Sequence, residues 1–253
     1  MGITTGYPAA GSLPLAQMLP LEAGACAAAG MDPRQLEPIS AFTEPIFRDG
    51  ALSAKVKLLA LFLVATVRGN EAEAERAMRA SLRAGLTRPE LVDGLLAGVL
   101  SRGITVLWRG IPWLADAPAG DGAAVEAPAG ADRTAEERLA YFARVYGELP
   151  QWVADLADSA PDFFRAYHDL RAEVLADGPL PRREKELLLV SINAVERYEF
   201  GLLHHLRGAF AGGGTWDQAV EAILVGVAAG GMPAWLEAAP VLRRVAGEFE
   251  EER

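Results

Sequence analysis

Cysteine and histidine are nearly missing from this chain. One cysteine, Cys26, stands among 253 residues, so no internal disulfide can form and no cysteine pair can hold a metal. The histidines are His168, His204 and His205. Neighbouring histidines do not have the i, i+4 spacing by which one helix face ligates a metal. A centre built from His168, His204, His205 and Glu186 is therefore a poor fit, and neither a metal nor another cofactor is expected. A basic excess is missing too: 24 Lys and Arg face 34 Asp and Glu, a net charge of −10, which speaks against a nucleic-acid partner. The apolar run LLALFLVATV at 58–67 is too short to span a bilayer. The N-terminal stretch has no basic residue before Arg34 and is interrupted by Pro14 and Pro20. It lacks the basic start and unbroken apolar run of a signal peptide. The expectation is a cytoplasmic protein with no membrane partner.

Half of the residues, 51%, are hydrophobic, enough for a large core in one big domain or two ordinary ones. The good helix formers Ala, Leu, Glu and Arg are abundant and β-branched runs are few, which predicts an all-α fold.

The chain repeats itself at a shift of 128. Residues 33–114 align with 161–242 without a gap. Pro33 falls on Pro161, Asp49-Gly50 on Asp177-Gly178, Leu52 on Leu180, Lys57 on Lys185, Glu71 on Glu199 and Arg79 on Arg207. Gly85 and Thr87 meet Gly213 and Thr215, Gly98-Val99 meets Gly226-Val227, and Pro112 meets Pro240. Coincident glycines and helix starts mark two copies of one helical unit. Each copy predicts a first helix (about 34–48 and 161–176) stopped at Asp-Gly. A long second helix follows (about 53–83 and 182–211). Thr87-x-x-Glu90 and Thr215-x-x-Gln218 are matching capping boxes that open a buried third helix. A short fourth helix, from about Pro233 in the second copy, closes the unit.

The organisation is thus a lead-in segment over 1–32, a first repeat over 33–114, a linker over 115–133 and a second repeat over 134–253. The linker is rich in Ala, Pro, Gly and Asp and predicts an exposed connection. Thr134-x-x-Glu137 caps a further helix with Leu139, Phe142 and Tyr146 on one side. Trp152, Phe163, Phe164 and Tyr167 read as core, with some available to line an apolar pocket. Recurrence of Glu199 as Glu71 favours a structural ion pair, with Arg207 or its counterpart Arg79.

The segment from Leu180 to Gly226 resembles the carboxymuconolactone decarboxylase and alkylhydroperoxidase D-like family. In that family a glutamate on a long helix is followed by Cys-x-x-Cys-x-x-x-His, a glycine turn and a threonine cap. Glu186 and His205 stand at the family's glutamate and histidine positions, while Tyr198 and Gly201 stand at the two cysteine positions. The resemblance covers 161–242 well and 33–114 more weakly. It implies two tandem alkylhydroperoxidase D-like repeats. Without the thiols, peroxide reduction by a thiolate is excluded from the second copy's motif. The first copy carries Leu58, Asn70, Glu73 and Ala77 at the same four positions, and reads as a scaffold half that supplies the packing partner and one pocket wall.

What the resemblance implies is a cofactor-free acid–base enzyme, a decarboxylase, isomerase, dehydratase or cyclase, acting on a small carbonyl, lactone or enol substrate. It would serve aromatic catabolism or specialised-metabolite biosynthesis. His205 is the candidate proton shuttle, because imidazole takes and gives protons near neutrality. Glu186 orients or charge-balances it, and the Tyr198 hydroxyl is the candidate oxyanion donor. His204, His168 and Gly201 are candidate substrate contacts, Gly201 either by leaving room for a ligand or by close helix packing. Glu186 lies nineteen residues before His205, so contact between them requires a break in the helix. Two other readings stay open: a binding or scaffold protein that kept the fold, and a residual oxidoreductase. Single-copy relatives form trimers or hexamers, which implies a homo-oligomer here, a trimer of tandem chains or a dimer, beside one compact monomer.

Overall fold

The computed structural model describes residues 30, 32–120 and 133–251; the expectations for Cys26, most of the lead-in and the centre of the linker lie outside them. The regular structure of the described residues is helical, with no strand among them. The first repeat comprises α1 (Pro33–Phe47), α2 (Ala54–Arg68), α3 (Glu71–Arg83), α4 (Arg88–Arg102), α5 (Thr105–Gly110) and a 3-10 turn (Ile111–Ala115). After the linker come α6 (Ala135–Tyr146) and α7 (Gln151–Ser159). The second repeat is α8 (Pro161–Val174), α9 (Arg182–Val195), α10 (Glu199–Ala211), α11 (Trp216–Gly230) and α12 (Met232–Glu251).

The expected long second helix is two helices in each repeat. In the first, Gly69 takes the left-handed conformation (φ 71°) and ends α2, and the Asn70 side chain accepts from the Glu73 N–H to start α3. In the second, Arg197 adopts φ 53° at the matching position, a conformation that costs a residue with a Cβ roughly 1–2 kcal/mol. The turn folds α10 back along α9. The closing helix of the second repeat is also longer than expected, running through Pro240 to Glu251. The linker begins differently from the exposed connection its composition suggests. Ala117 is buried, and the Pro118 carbonyl accepts from the Arg88 N–H at the start of α4.

The two repeats share one core. Helix α9 packs on α2 and α4, and α11 packs on α2, so the apolar faces of α2, α4, α9 and α11 are buried against one another. Two ion pairs related by the repeat clamp this junction. Lys57 Nζ lies 3.1 Å from Glu221, whose carboxylate also accepts from the backbone N–H groups of Ala51 and Leu52. Lys185 Nζ lies 3.0 Å from Asp93, whose carboxylate accepts from the Leu180 N–H. Each carboxylate caps the loop of the opposite copy, and Gly50 and Gly178 leave room for it: a Cβ at Gly50 would meet Glu221 Oε1 at 2.2 Å. Removing one partner of such a buried pair costs about 3–5 kcal/mol.

A second, smaller apolar cluster joins α6, α7 and α8 through Phe142, Tyr146, Val153 and Phe164. It lies beside the N-terminal end of α10 through contacts of Tyr146 with Phe200 and His204. Phe164 and Tyr167 take part, whereas Phe163 is exposed, against the core reading of its sequence position.

Candidate active site

The break after α9 brings Glu186 and His205 together. His205 Nδ1 lies 2.7 Å from Glu186 Oε2, and the Glu186 side chain is fully buried. Gly208 makes this possible, because a Cβ there would stand 2.5 Å from the Glu186 carboxyl carbon. Burial pushes the Glu186 carboxyl up. The hydrogen bond from His205 and the charges of His205, Arg171 and Arg182 outweigh it and hold the group below its ordinary value. Arg182 Nε stands 3.7 Å from Glu186 Oε1, an ion pair too long to be a hydrogen bond.

With Nδ1 engaged by Glu186, Nε2 is the His205 nitrogen left for the cavity that His205 lines. The cavity holds about 460 Å³. Tyr146, Trp152, Tyr167, Phe200 and Tyr198 give it an aromatic lining, and Arg102 and Arg171 give it two cations. Arg171, on α8, is 2% exposed, and its Nε and Nη2 have no hydrogen-bond partner among the described residues. Trp152 Nε1 is in the same condition. Burial acts against the Arg171 charge, but Tyr146 and Glu186 together hold its guanidinium above the ordinary arginine value. Burial raises the Tyr146 phenol to about 12, so it keeps its proton at neutral pH.

The other sequence candidates separate. His204 lines the cavity edge-on to Tyr146 at 4.1 Å and to Phe200 at 4.3 Å. Burial, then the charges of Arg207, His205 and Arg171, push its imidazole down to about 4. It is neutral at pH 7 and acts as aromatic wall. Tyr198 stands half exposed at the N-terminus of α10, with the Arg102 guanidinium 5.8 Å over its ring. Gly201 lines the cavity, yet a Cβ there would meet Asn193 Oδ1 at 2.5 Å and Tyr198 Cδ1 at 2.7 Å. Close packing therefore requires the glycine.

His168 is corrected from substrate contact to buried support. It does not line the cavity. Its Nδ1 is 2.8 Å from Asp169 Oδ1, and its ring meets Tyr141 edge-on at 4.9 Å. Glu199 pairs with Arg244 and Arg207 with Glu248, so the expected Glu199–Arg207 pair does not form. No cluster of His, Cys, Asp and Glu able to hold a metal occurs among the described residues, and among them no helix is long and apolar enough to cross a membrane.

Sequence reasoning missed Arg171 and Arg102. Each is an arginine in only one repeat, opposite Thr43 and Gly230 respectively, and that divergence was the available signal.

Fold and site define an all-α tandem-repeat protein with a buried glutamate–histidine dyad opening on an aromatic, cationic pocket. Residues 161–244 match the profile of the Carboxymuconolactone decarboxylase family, and the chain belongs to that family. A Burkholderia xenovorans LB400 structure described as a candidate carboxymuconolactone decarboxylase is 33% identical. That match covers 46% of this chain and 91% of the other, with a TM-score of 0.42. A second structure from the same organism, described as a candidate γ-carboxymuconolactone decarboxylase subunit, is 21% identical. It covers 93% of this chain and 95% of the other at a TM-score of 0.60, and so shares the fold through both repeats. No curated protein matches.

Proposed function

We propose that the chain is an acid–base enzyme, a lyase or isomerase, for a small carbonyl, lactone or enol substrate that bears an acidic group. The observation that carries this reading is the buried 2.7 Å contact between His205 Nδ1 and Glu186 at the wall of the cavity. An ionised Glu186 accepts from Nδ1–H and leaves the lone pair on Nε2. Nε2 then removes a proton from a carbon beside the substrate carbonyl, and the electron pair moves to oxygen as an enolate. Glu186 balances the imidazolium that forms. Returning the proton at a different carbon completes an isomerisation.

In a decarboxylation the same groups act in another order. The bond to the carboxylate breaks, carbon dioxide leaves, and its electron pair enters the enolate. His205 then delivers to carbon a proton drawn from solvent. The unpartnered donors of Arg171 suit the negative charge in either case, because a preorganised donor in a dry site needs no rearrangement as charge develops. They suit it better than the half-exposed Tyr198 hydroxyl. The aromatic lining favours a flat ring. Membership of the Carboxymuconolactone decarboxylase family favours the decarboxylase end of this range, and the proposal extends to a place in aromatic catabolism or specialised-metabolite biosynthesis.

His205→Asn tests the reading. The Asn amide can replace Nδ1–H toward Glu186 but offers nothing in place of Nε2. The expected result is an unchanged melting profile with loss of turnover on a panel of lactones, enols and β-keto acids. Turnover equal to that of the parent would overturn the assignment.

A further inference from the structure

Helices α6 and α7 lie ahead of the segment 161–244 that carries the family match, yet they furnish part of the cavity wall through Tyr146 and Trp152. Tyr146 is the last residue of α6. Gly147, left-handed at φ 84°, ends the helix immediately after it, a conformation that glycine adopts without the penalty of a Cβ. The Tyr146 ring sits among four others. Phe142 stacks on it at 6.1 Å, Trp152 meets it edge-on at 6.1 Å, Phe200 lies at 6.5 Å and His204 stands perpendicular at 4.1 Å. Packed in this way and 8% exposed, the ring is held in place.

Its hydroxyl is not engaged. It makes no hydrogen bond among the described residues. Nε and Nη2 of Arg171 and Nε1 of Trp152 also lack partners, but those atoms are closed to solvent, and the Tyr146 oxygen is not. The Arg171 guanidinium is near, with Cζ 5.8 Å from the ring centroid. Tyr146 is foremost among the groups that favour the Arg171 charge, ahead of Glu186. Burial outweighs that cation at the phenol and raises it to about 12, so the proton stays on. A protonated phenol beside a buried cation donates strongly, because the low dielectric of the interior strengthens the bond. The cavity's other tyrosines differ: Tyr198 is half exposed, and Tyr167 stacks on the exposed Phe163.

We infer that Tyr146 is a further catalytic residue: its hydroxyl donates a hydrogen bond to the substrate oxygen that becomes the enolate oxygen. No bond is made or broken at Tyr146. The phenol keeps its proton while His205 moves another, and Arg171 adds its positive charge nearby. A donor fixed before the charge develops needs no rearrangement when it does. The inference rests on the acid–base reading of the cavity, and it moves the oxyanion role from Tyr198 to a residue outside the matched segment.

Binding of 4-nitrophenolate and 4-nitroanisole tests this. The first is a flat ring with an oxyanion and stands for the enolate; the second is the same ring without the charge. Both are titrated at a pH where the probe is ionised and Tyr146, raised to about 12, is not. The parent should bind the phenolate about 10–100-fold more tightly than the anisole. The bound phenolate's absorption band should move to shorter wavelength, the mark of a hydrogen bond to the oxyanion. Tyr146→Phe should lose most of the preference and the band shift by weakening the phenolate alone. It should melt no lower than the parent, because the atom removed has no partner among the described residues. In turnover it should lower kcat about 10²–10³-fold with little change in KM. A parent that binds neither probe or shows no preference would overturn the inference. So would a preference or band shift that survives in Tyr146→Phe, a lower melting temperature in that variant, or an equal loss in Tyr198→Phe or Tyr167→Phe. The acid–base reading fails separately, by parental turnover in His205→Asn. Parental turnover in Tyr146→Phe beside an inactive His205→Asn removes only the tyrosine.

Discussion

At equivalent points of the two repeats, Leu58 packs where Glu186 is buried and Ala77 where His205 stands. Both arrangements fold, on the same backbone turn and with the same threonine-capped third helix. The buried dyad is therefore not needed for the fold. The first repeat demonstrates in the same molecule that apolar residues fill these positions, and a buried charged pair is commonly no more stabilising than its apolar replacement. Retention of Glu186 and His205 in one copy points to chemistry rather than packing.

The largest effect should come from making the second repeat resemble the first. Glu186→Leu together with His205→Ala is expected to abolish turnover, a loss of about 10²–10⁴-fold or more, while the melting temperature stays level or rises. His205→Ala alone should instead lower stability by about 3–5 kcal/mol in denaturant titration, because it strands the buried Glu186 carboxylate. If the double variant proves the less stable of the two, the dyad is structural after all. A similar loss, about 3–5 kcal/mol, is expected for Glu221→Ala, which leaves Lys57 buried without its partner. Asp93→Ala should do the same through Lys185. Unequal losses would show that the junction is not as symmetric as the geometry.

Gly208→Ala tests the space under Glu186 and should cost about 1–3 kcal/mol by forcing the carboxylate aside. The matching residue in the first repeat is already alanine, Ala80, above a leucine rather than a carboxylate. His204 gives a pH-dependent contrast. Its pKa falls from 6.5 to about 4 on folding, so between those values the unfolded chain binds the extra proton. Its contribution to stability is complete above about pH 6.5, is lost as the pH falls toward 4, and declines no further below that. His204→Phe keeps a ring against Tyr146 and Phe200 and should flatten that part of the stability curve. A curve of unchanged shape would remove His204 from the account. The smallest effect is Arg197→Gly, expected to gain about 1 kcal/mol by matching Gly69 at the left-handed turn.

Periodic, local features were legible in the sequence: the shift of 128, the Asp-Gly stops and the threonine caps each act within a few residues. The break in the second helix was harder, because Arg197 in the left-handed region has no glycine signature. Only the need for Glu186 to reach His205 hinted at it. The pocket's cations were not read at all. Arg171 and Arg102 arrive from α8 and α4, and their meeting with α9 and α10 depends on packing between segments far apart in the chain. His168 misled for the converse reason: a histidine outside the repeat pattern looked chemical, but Asp169 and Tyr141 absorb it into the small aromatic cluster.

The crossed lysine–carboxylate clamps have a consequence for how the molecule is divided. Glu221 secures the loop before α2, and Asp93 secures the loop before α9. The residues of both ties lie outside the linker over 115–133 that joins the halves in sequence. Severed there, the two pieces would still share a single apolar core and two reciprocal locks. The chain is in effect a heterodimer written as one gene product, in which stoichiometry is guaranteed and each half was free to specialise.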